Sequence, residues 1–339
     1  MRRNNKLLWM MAICAFILSL PAAGEVLAQP TKMIVTHEIS VSHWKHPLME
    51  KYGKLLEERT KGKLKVELYP AGQLYADKAA VAALGTGSVH MTWPVTVNVE
   101  TLVPAFALMN FPMFIEDDLM LKNPQFRKDL REMLSRLLAP KNIRLMGIVR
   151  TSEALCIFKK GVTPKTVADM KGLKIRTTGG LVWLDIYKAW KATAVGMPAS
   201  EMAAALAQGV IDGIHTSPAG WSQMVGIAAP YGLKMPDFYI ATYEVLVDDK
   251  WYRKLPKDVQ GIMQNTLDEL LTAQWQDGIN QDDKELKLME SKGAKIHVVP
   301  RKELKERWLP LCKPAFENFS KRFPEAYKEA KALKDKYEK

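Results

Sequence analysis

Thr163-Pro164-Lys165-Thr166-Val167-Ala168-Asp169-Met170-Lys171-Gly172-Leu173-Lys174-Ile175-Arg176-Thr177-Thr178 ends a short strand on an arginine and runs on toward a helix. Some forty residues later, Gly209-Val210-Ile211-Asp212-Gly213-Ile214-His215-Thr216-Ser217-Pro218 supplies a second strand end rich in small polar residues. Side by side, the two segments suit the capture of a small carboxylate. A planar guanidinium makes two parallel charge-assisted hydrogen bonds to a carboxylate, and the N–H groups of a helix N-terminus add their own attraction. For a lone arginine the alternative is a solvated surface side chain.

Outward from these segments, short apolar strands alternate with amphipathic helices, the pattern of an α/β fold. Strands are predicted over 33–37, 64–69, 89–93, 143–149, 154–158, 174–177, 210–216, 240–247 and 294–299. Helices are predicted over 47–59, 76–84, 126–138 and 200–209, the last with glycine just past its end. From 256 to about 292 the pattern stays helical, a rod of roughly 50 Å at 1.5 Å per residue. No internal repeat or low-complexity segment is visible.

The chain opens with the basic stretch Met1-Arg2-Arg3-Asn4-Asn5-Lys6, an apolar run from 7 to 20, and small residues at Val26-Leu27-Ala28. That is the layout of a cleaved export signal, and the mature chain then begins at Gln29. The run is about fourteen residues, whereas a bilayer span needs about twenty. No cysteine follows the apolar core to take a lipid. Roughly 310 mature residues exceed what one core usually holds, so two lobes are expected.

Without the signal the chain keeps 46 basic and 36 acidic residues, a net charge of about +10. Lysines alternate with acids along helices, as in Lys284-Glu285-Leu286-Lys287, which marks a solvated face and argues against nucleic acid as partner. The charge serves solubility and attracts small anions. Cys156 and Cys312 remain after the signal, either paired or free, because spacing says nothing about proximity.

The segment Asp169 to Arg176 resembles the D-x-K-G-x-K-[IL]-R run of the TRAP (tripartite ATP-independent periplasmic) transporter solute-binding family, and the later Gly-x-Ile-Asp-Gly resembles its second signature. Arg59-Thr60-Lys61-Gly62-Lys63-Leu64-Lys65-Val66-Glu67-Leu68-Tyr69-Pro70-Ala71-Gly72-Gln73-Leu74 and Trp251-Tyr252-Arg253-Lys254-Leu255-Pro256 continue the likeness in the right order. The resemblance implies a two-lobed periplasmic binding-protein fold with a long helix along both lobes. Lobe I is expected over 29–150 plus about 240–275, and lobe II over 151–239 plus about 276–339. It further implies a small organic acid as ligand, membrane permease subunits as partners, a periplasmic location, a monomer or weak dimer, and no cofactor, metal or catalysis. A ligand sensor reporting to a receptor would use the same closing lobes.

Arg176 is the expected carboxylate anchor, with Gly179 letting a ligand approach the backbone at the start of the following helix. Thr216 and Ser217 stand where many relatives have Glu-Asn-Pro, and either hydroxyl can face the ligand. Tyr243, mid-strand, matches a position that often lends a polar group; otherwise it is a core tyrosine. His37 and Glu38 end the first strand, Trp44 lies in the next loop, and Trp93 ends the third strand, at strand ends of the kind where ligands sit in open α/β lobes. Trp183 and Trp221 start helices near Arg176 and Ser217. Each tryptophan is either core or a flat pocket wall, and four at cleft-facing positions favour an aromatic or branched monocarboxylate. Many acid-binding relatives carry a second arginine about twenty residues before the anchor, and here that position falls near Cys156; Arg150 lies six residues too early. C4-dicarboxylates and sugar acids are the alternatives.

An enzyme is the competing class. His43 and His46 are three apart, yet Pro47 follows and no nearby acid completes a metal set. The chain has no G-x-S-x-G, H-E-x-x-H or P-loop, and Asp212, His215 and Ser217 lie too close on one strand to converge as a triad.

Overall fold

The computed structural model describes residues 29–39, 41, 43–197 and 199–337; the expected export signal lies outside them. In chain order come β1 (Thr31–Thr36), α1 (Lys45–Arg59), β2 (Leu64–Tyr69), α2 (Asp77–Leu84), β3 (Met91–Thr92), α3 (Thr96–Glu100), α4 (Asp117–Lys122), α5 (Pro124–Leu138) and β4 (Ile143–Glu153). Then follow β5 (Leu155–Phe158), β6 (Lys174–Thr177), α6 (Leu181–Ala189), β7 (Thr193–Gly196), α7 (Met202–Ala207), β8 (Gly213–Thr216), β9 (Tyr231–Lys234) and β10 (Ile240–Asp248). A long helix, Lys257–Ser291, leads to β11 (Lys295–Val298) and two C-terminal helices, Lys313–Arg322 and Pro324–Tyr337.

Two mixed sheets form the lobes, in the orders β2-β1-β3-β10-β4 and β11-β9-β5-β8-β6-β7. The chain leaves the first sheet at Ala154 and re-enters it after Tyr239, and the Ala154 N–H donates to the Tyr239 carbonyl at 2.9 Å, so the two crossings are tied together. Alternation on β1 turns Met33 and Val35 onto Met49, Tyr52 and Leu56 of α1, whose apolar residues recur every three or four positions. In the second sheet, Leu155, Ile157 and Ile214 meet Leu206, Trp221 and Met289. A third cluster runs through both lobes, joining Phe106, Phe126 and Ile148 to Trp183, Trp190 and Trp308. Burying one such side chain stabilises by about 1.5–3 kcal/mol.

The 35-residue long helix spans roughly 50 Å, enough to serve both lobes. Val259, Met263 and Leu267 pack in the first core, and Leu286 and Met289 in the second. Gly147 of β4 lets this helix come close, since a Cβ there would lie 2.5 Å from Leu271. Arg150 clamps the same junction: it bonds Asp117 through Nε and Nη2 (2.9 and 3.1 Å) and Asp282 through Nη1 (2.6 Å).

Several elements differ from expectation. The strand expected over 89–93 shrinks to Met91–Thr92 because Pro94 cannot donate to a ladder. β7 and β9, each four residues long, escaped prediction. The Pro324–Tyr337 helix, expected with lobe II, returns to α5 in lobe I, where Lys336 and Tyr337 bond Asp129 at 2.6 and 2.7 Å. Cys156 and Cys312 are both buried and free.

Candidate functional site

Arg176 stands on β6 between β7 and β8, buried to 2 % exposure. Nε and Nη2 donate to the Met197 carbonyl (3.1 and 2.9 Å), and Nη1 donates to the His215 carbonyl (3.3 Å). These carbonyls aim the guanidinium and use three of its five N–H groups, leaving one on each Nη. Among the described residues no carboxylate pairs with it, and burial pulls its pKa below the ordinary value. Next to it the buried His215 ring packs edge-on to Trp183 (4.4 Å) and Tyr239 (5.5 Å). Burial, with Arg176 adding to it, pushes His215 down to about 3, so its ring is neutral.

The hydroxyls at the end of β8 have different tasks. Ser217 Oγ accepts from the Gly220 N–H at 2.9 Å and so caps the turn that follows. Thr216 Oγ1 makes no hydrogen bond to the described residues, and Gly220 is pressed against it, since a Cβ there would lie 2.3 Å away. Gly179 and Gly180 have φ of +108° and +96°, conformations that L side chains rarely adopt. Glu100 of α3, from the other lobe, lies near this turn, and Asn110 donates to Glu100 Oε1. Burial pushes Glu100 up to about 7.

The remaining expected residues divide sharply. His37 is fully buried with Nε2 3.0 Å from His46 Nδ1, a contact that fixes the loop after β1. Burial first, then Lys45, pushes His37 down to about 4. Glu38 is exposed. Trp44 is 39 % exposed and lies 6.0 Å from the Tyr243 ring. Of the four tryptophans expected as pocket walls, Trp93, Trp183 and Trp221 are instead core. Trp93 packs on Tyr52, Trp183 sits amid Trp190, Tyr187 and Phe238, and Trp221 donates through Nε1 to the Ala229 carbonyl at 2.9 Å. Position next to a strand end does not tell which way an indole turns, and apolar area drew these three inward.

Lys45, Glu100, Tyr239 and Glu244 had no signature in the sequence. Lys45 is fully buried, donates to the Trp93 carbonyl at 2.7 Å and lies 3.8 Å above the Tyr243 ring. A chamber of about 640 Å³ opens between the lobes, walled by His43 and Trp44, by Ser217 and Gln223, and by Gln274 and Asp277 of the long helix. Cys156, near which the resemblance put a second arginine, has its Sγ 3.3 Å from the Tyr187 hydroxyl; burial pushes this thiol up to about 12. Among the described residues no helix is long and apolar enough to cross a membrane.

A family model described as bacterial extracellular solute-binding protein, family 7, matches residues 35–322. The C4-dicarboxylate-binding periplasmic protein DctP of Rhodobacter capsulatus is 26 % identical over 91 % of this chain and 92 % of its own. Two solved TRAP periplasmic solute-binding proteins share the fold. One from Shewanella oneidensis with bound succinate has TM-score 0.72 and 22 % identity, over 90 % of this chain and 99 % of that one. One from Desulfovibrio salexigens with bound orotic acid has TM-score 0.74 and 19 % identity, over 90 % and 98 %.

Proposed function

Because the chain belongs to the bacterial extracellular solute-binding protein family 7, whose members are extracytoplasmic binding subunits of TRAP transporters for small organic acids and not enzymes, we propose that Arg176 holds the carboxylate of such an acid between two closing lobes. The observation that carries this reading is a buried guanidinium with no carboxylate partner among the described residues and one N–H left on each Nη. An unpaired buried charge is strongly disfavoured, and a ligand carboxylate supplies the missing partner through a bidentate pair. Binding stabilises the closed arrangement by contacts made only when both lobes meet, which is a shift of populations. Delivery to the membrane permease follows without covalent chemistry.

The preferred acid is a monocarboxylate. The position expected for a second arginine falls near Cys156, and Arg150 is already held by Asp117 and Asp282, so a second carboxylate lacks a cation from either. Related proteins with bound succinate and orotic acid indicate that the fold accepts both acid classes. The aromatic contribution is smaller than three buried tryptophans promised, because Trp44 alone of the four is exposed.

Calorimetric titration against a panel of organic acids tests the anchor. Arg176→Ala is expected to lose about 2–5 kcal/mol of binding, roughly 30-fold to several thousand-fold. Near-native affinity in that variant would sink the assignment. Aromatic or branched monocarboxylates are expected to outbind succinate and malate by about tenfold, or 1.4 kcal/mol; displacement of every monocarboxylate by succinate overturns the preference.

A further inference from the structure

Glu244 lies on β10 at the end of the first sheet that faces the second lobe. β10 runs antiparallel to β3, and Val95, just beyond β3, bridges the neighbouring Tyr243. The Glu244 side chain is fully buried. Its Oε1 accepts from the Thr96 and Thr242 hydroxyls, each at 2.7 Å, while Oε2 has no hydrogen-bond partner among the described residues.

Its surroundings join both lobes. Glu244 and Glu100 repel each other, and the Tyr239 hydroxyl feels both carboxyls. Glu100 lies beside Gly180 at the start of α6 across the lobe boundary, and the Tyr239 ring packs against His215 and Trp183 of the second lobe, with Arg176 next to His215. His215 Nε2 and Asn110 Oδ1 are likewise buried without partners among the described residues. Arg150, opposite Thr242 on β4, is held by Asp117 and Asp282. Arg176, His215, Tyr239, Glu244, Glu100 and Asn110 thus follow one another round the lobe boundary.

Burial pushes Glu244 up to about 8, so at pH 7 its carboxyl is neutral. With hydroxyls already donating to Oε1, the proton belongs on Oε2, a buried O–H without an acceptor. Leaving such a group unmade is costly, and a ligand oxygen relieves the cost.

We infer that Glu244 is a second ligand-contacting residue, donating from Oε2–H to a neutral carbonyl or hydroxyl oxygen on the body of an acid whose carboxylate Arg176 holds. The inference rests on the Arg176 reading. A second carboxylate fits this place poorly because Glu100 is a neighbouring acid.

Titration calorimetry on matched acids tests it: phenylpyruvate with 3-phenylpropanoate, mandelate with phenylacetate, and gluconate with hexanoate. In each pair that binds, the oxygenated member is expected to bind at least tenfold more tightly at pH 7. That advantage is expected to weaken about tenfold at pH 9, as the proton leaves Oε2. Glu244→Gln keeps a donor at the same place and is expected to retain the preference and lose the pH dependence. Glu244→Leu loses the preference. Equal binding within every pair, a Gln variant that keeps the pH slope, or no binding by any of the six overturns the inference. Arg176→Ala in the same titrations separates the two readings. Undiminished affinity there sinks the anchor, whereas lost affinity with indifferent Glu244 variants sinks only the role of Glu244.

Discussion

Arg150 and Arg176 are both 2 % exposed, yet they carry opposite tasks because of what surrounds them. Arg150 meets two carboxylates; Arg176 meets only carbonyls. Arg150→Ala leaves Asp117 and Asp282 buried without their cation and is expected to cost about 3–5 kcal/mol of stability. Arg176→Ala removes a charge that no protein carboxylate balances, so the melting temperature is expected to hold or rise while ligand affinity falls. Thermal denaturation of both variants without ligand checks this, and a large destabilisation by Arg176→Ala would show a structural residue. Arg176 was legible because its motif fixes a strand end. Glu244 was not, since an acid in an apolar strand shows neither its burial nor its partners. The tryptophans misled for a related reason: sequence gives their neighbours along the chain, not the side of the sheet on which each ring finds apolar cover.

Elements with strong periodicity matched expectation closely. The strand over Leu64–Tyr69 and the strand over Lys174–Thr177 have the predicted bounds, and the long helix differs by one residue at each end. What sequence left hidden is how elements meet across space. Glu100, more than eighty positions before α6 in the chain, comes within 3.8 Å of where a Cβ on Gly180 would lie, and Asn110 donates to it. Since Glu100 is pushed up to about 7, it is partly neutral at physiological pH, and Glu100→Gln is expected to cost little. Glu100→Ala leaves the Asn110 amide without its acceptor and is expected to cost about 0.5–1.5 kcal/mol, in the range of a lost hydrogen bond. Urea denaturation of the two variants decides; equal losses would mean that the charge, not the acceptor, matters.

Across the whole molecule, ligand closure and pH act on the same lobe boundary. Closure about the β4–β5 and β9–β10 crossings is expected to shrink the radius of gyration, and identical small-angle scattering with and without saturating ligand would count against it. The pH response follows from five groups whose pKa burial or partial burial shifts. Glu100 and Glu244 are pushed up to about 7 and 8, so the folded chain holds protons that the unfolded chain has released, and their contribution to stability falls as pH rises from about 4.5 through 8. His37, His43 and His215 are pushed down to about 4, 4 and 3, so their contribution is present above pH 6.5 and lost as pH falls below it. Between pH 4.5 and 6.5 the two sets oppose each other, and the three histidines outweigh the two acids, so stability rises by roughly 2 kcal/mol. From pH 6.5 to 8 the histidines are neutral in both states and the decline comes from Glu100 and Glu244. Glu100 and Glu244 together are expected to remove roughly 2 kcal/mol over that interval. Glu244, with the higher pKa, carries the larger share, so Glu244→Gln should flatten most of the alkaline decline and, by removing one acid that opposes the histidines, steepen the rise between pH 4.5 and 6.5. Chemical denaturation at pH 5.5, 6.5 and 8 in both proteins measures this directly, and a Gln variant that declines as steeply as the parent would place the alkaline sensitivity elsewhere.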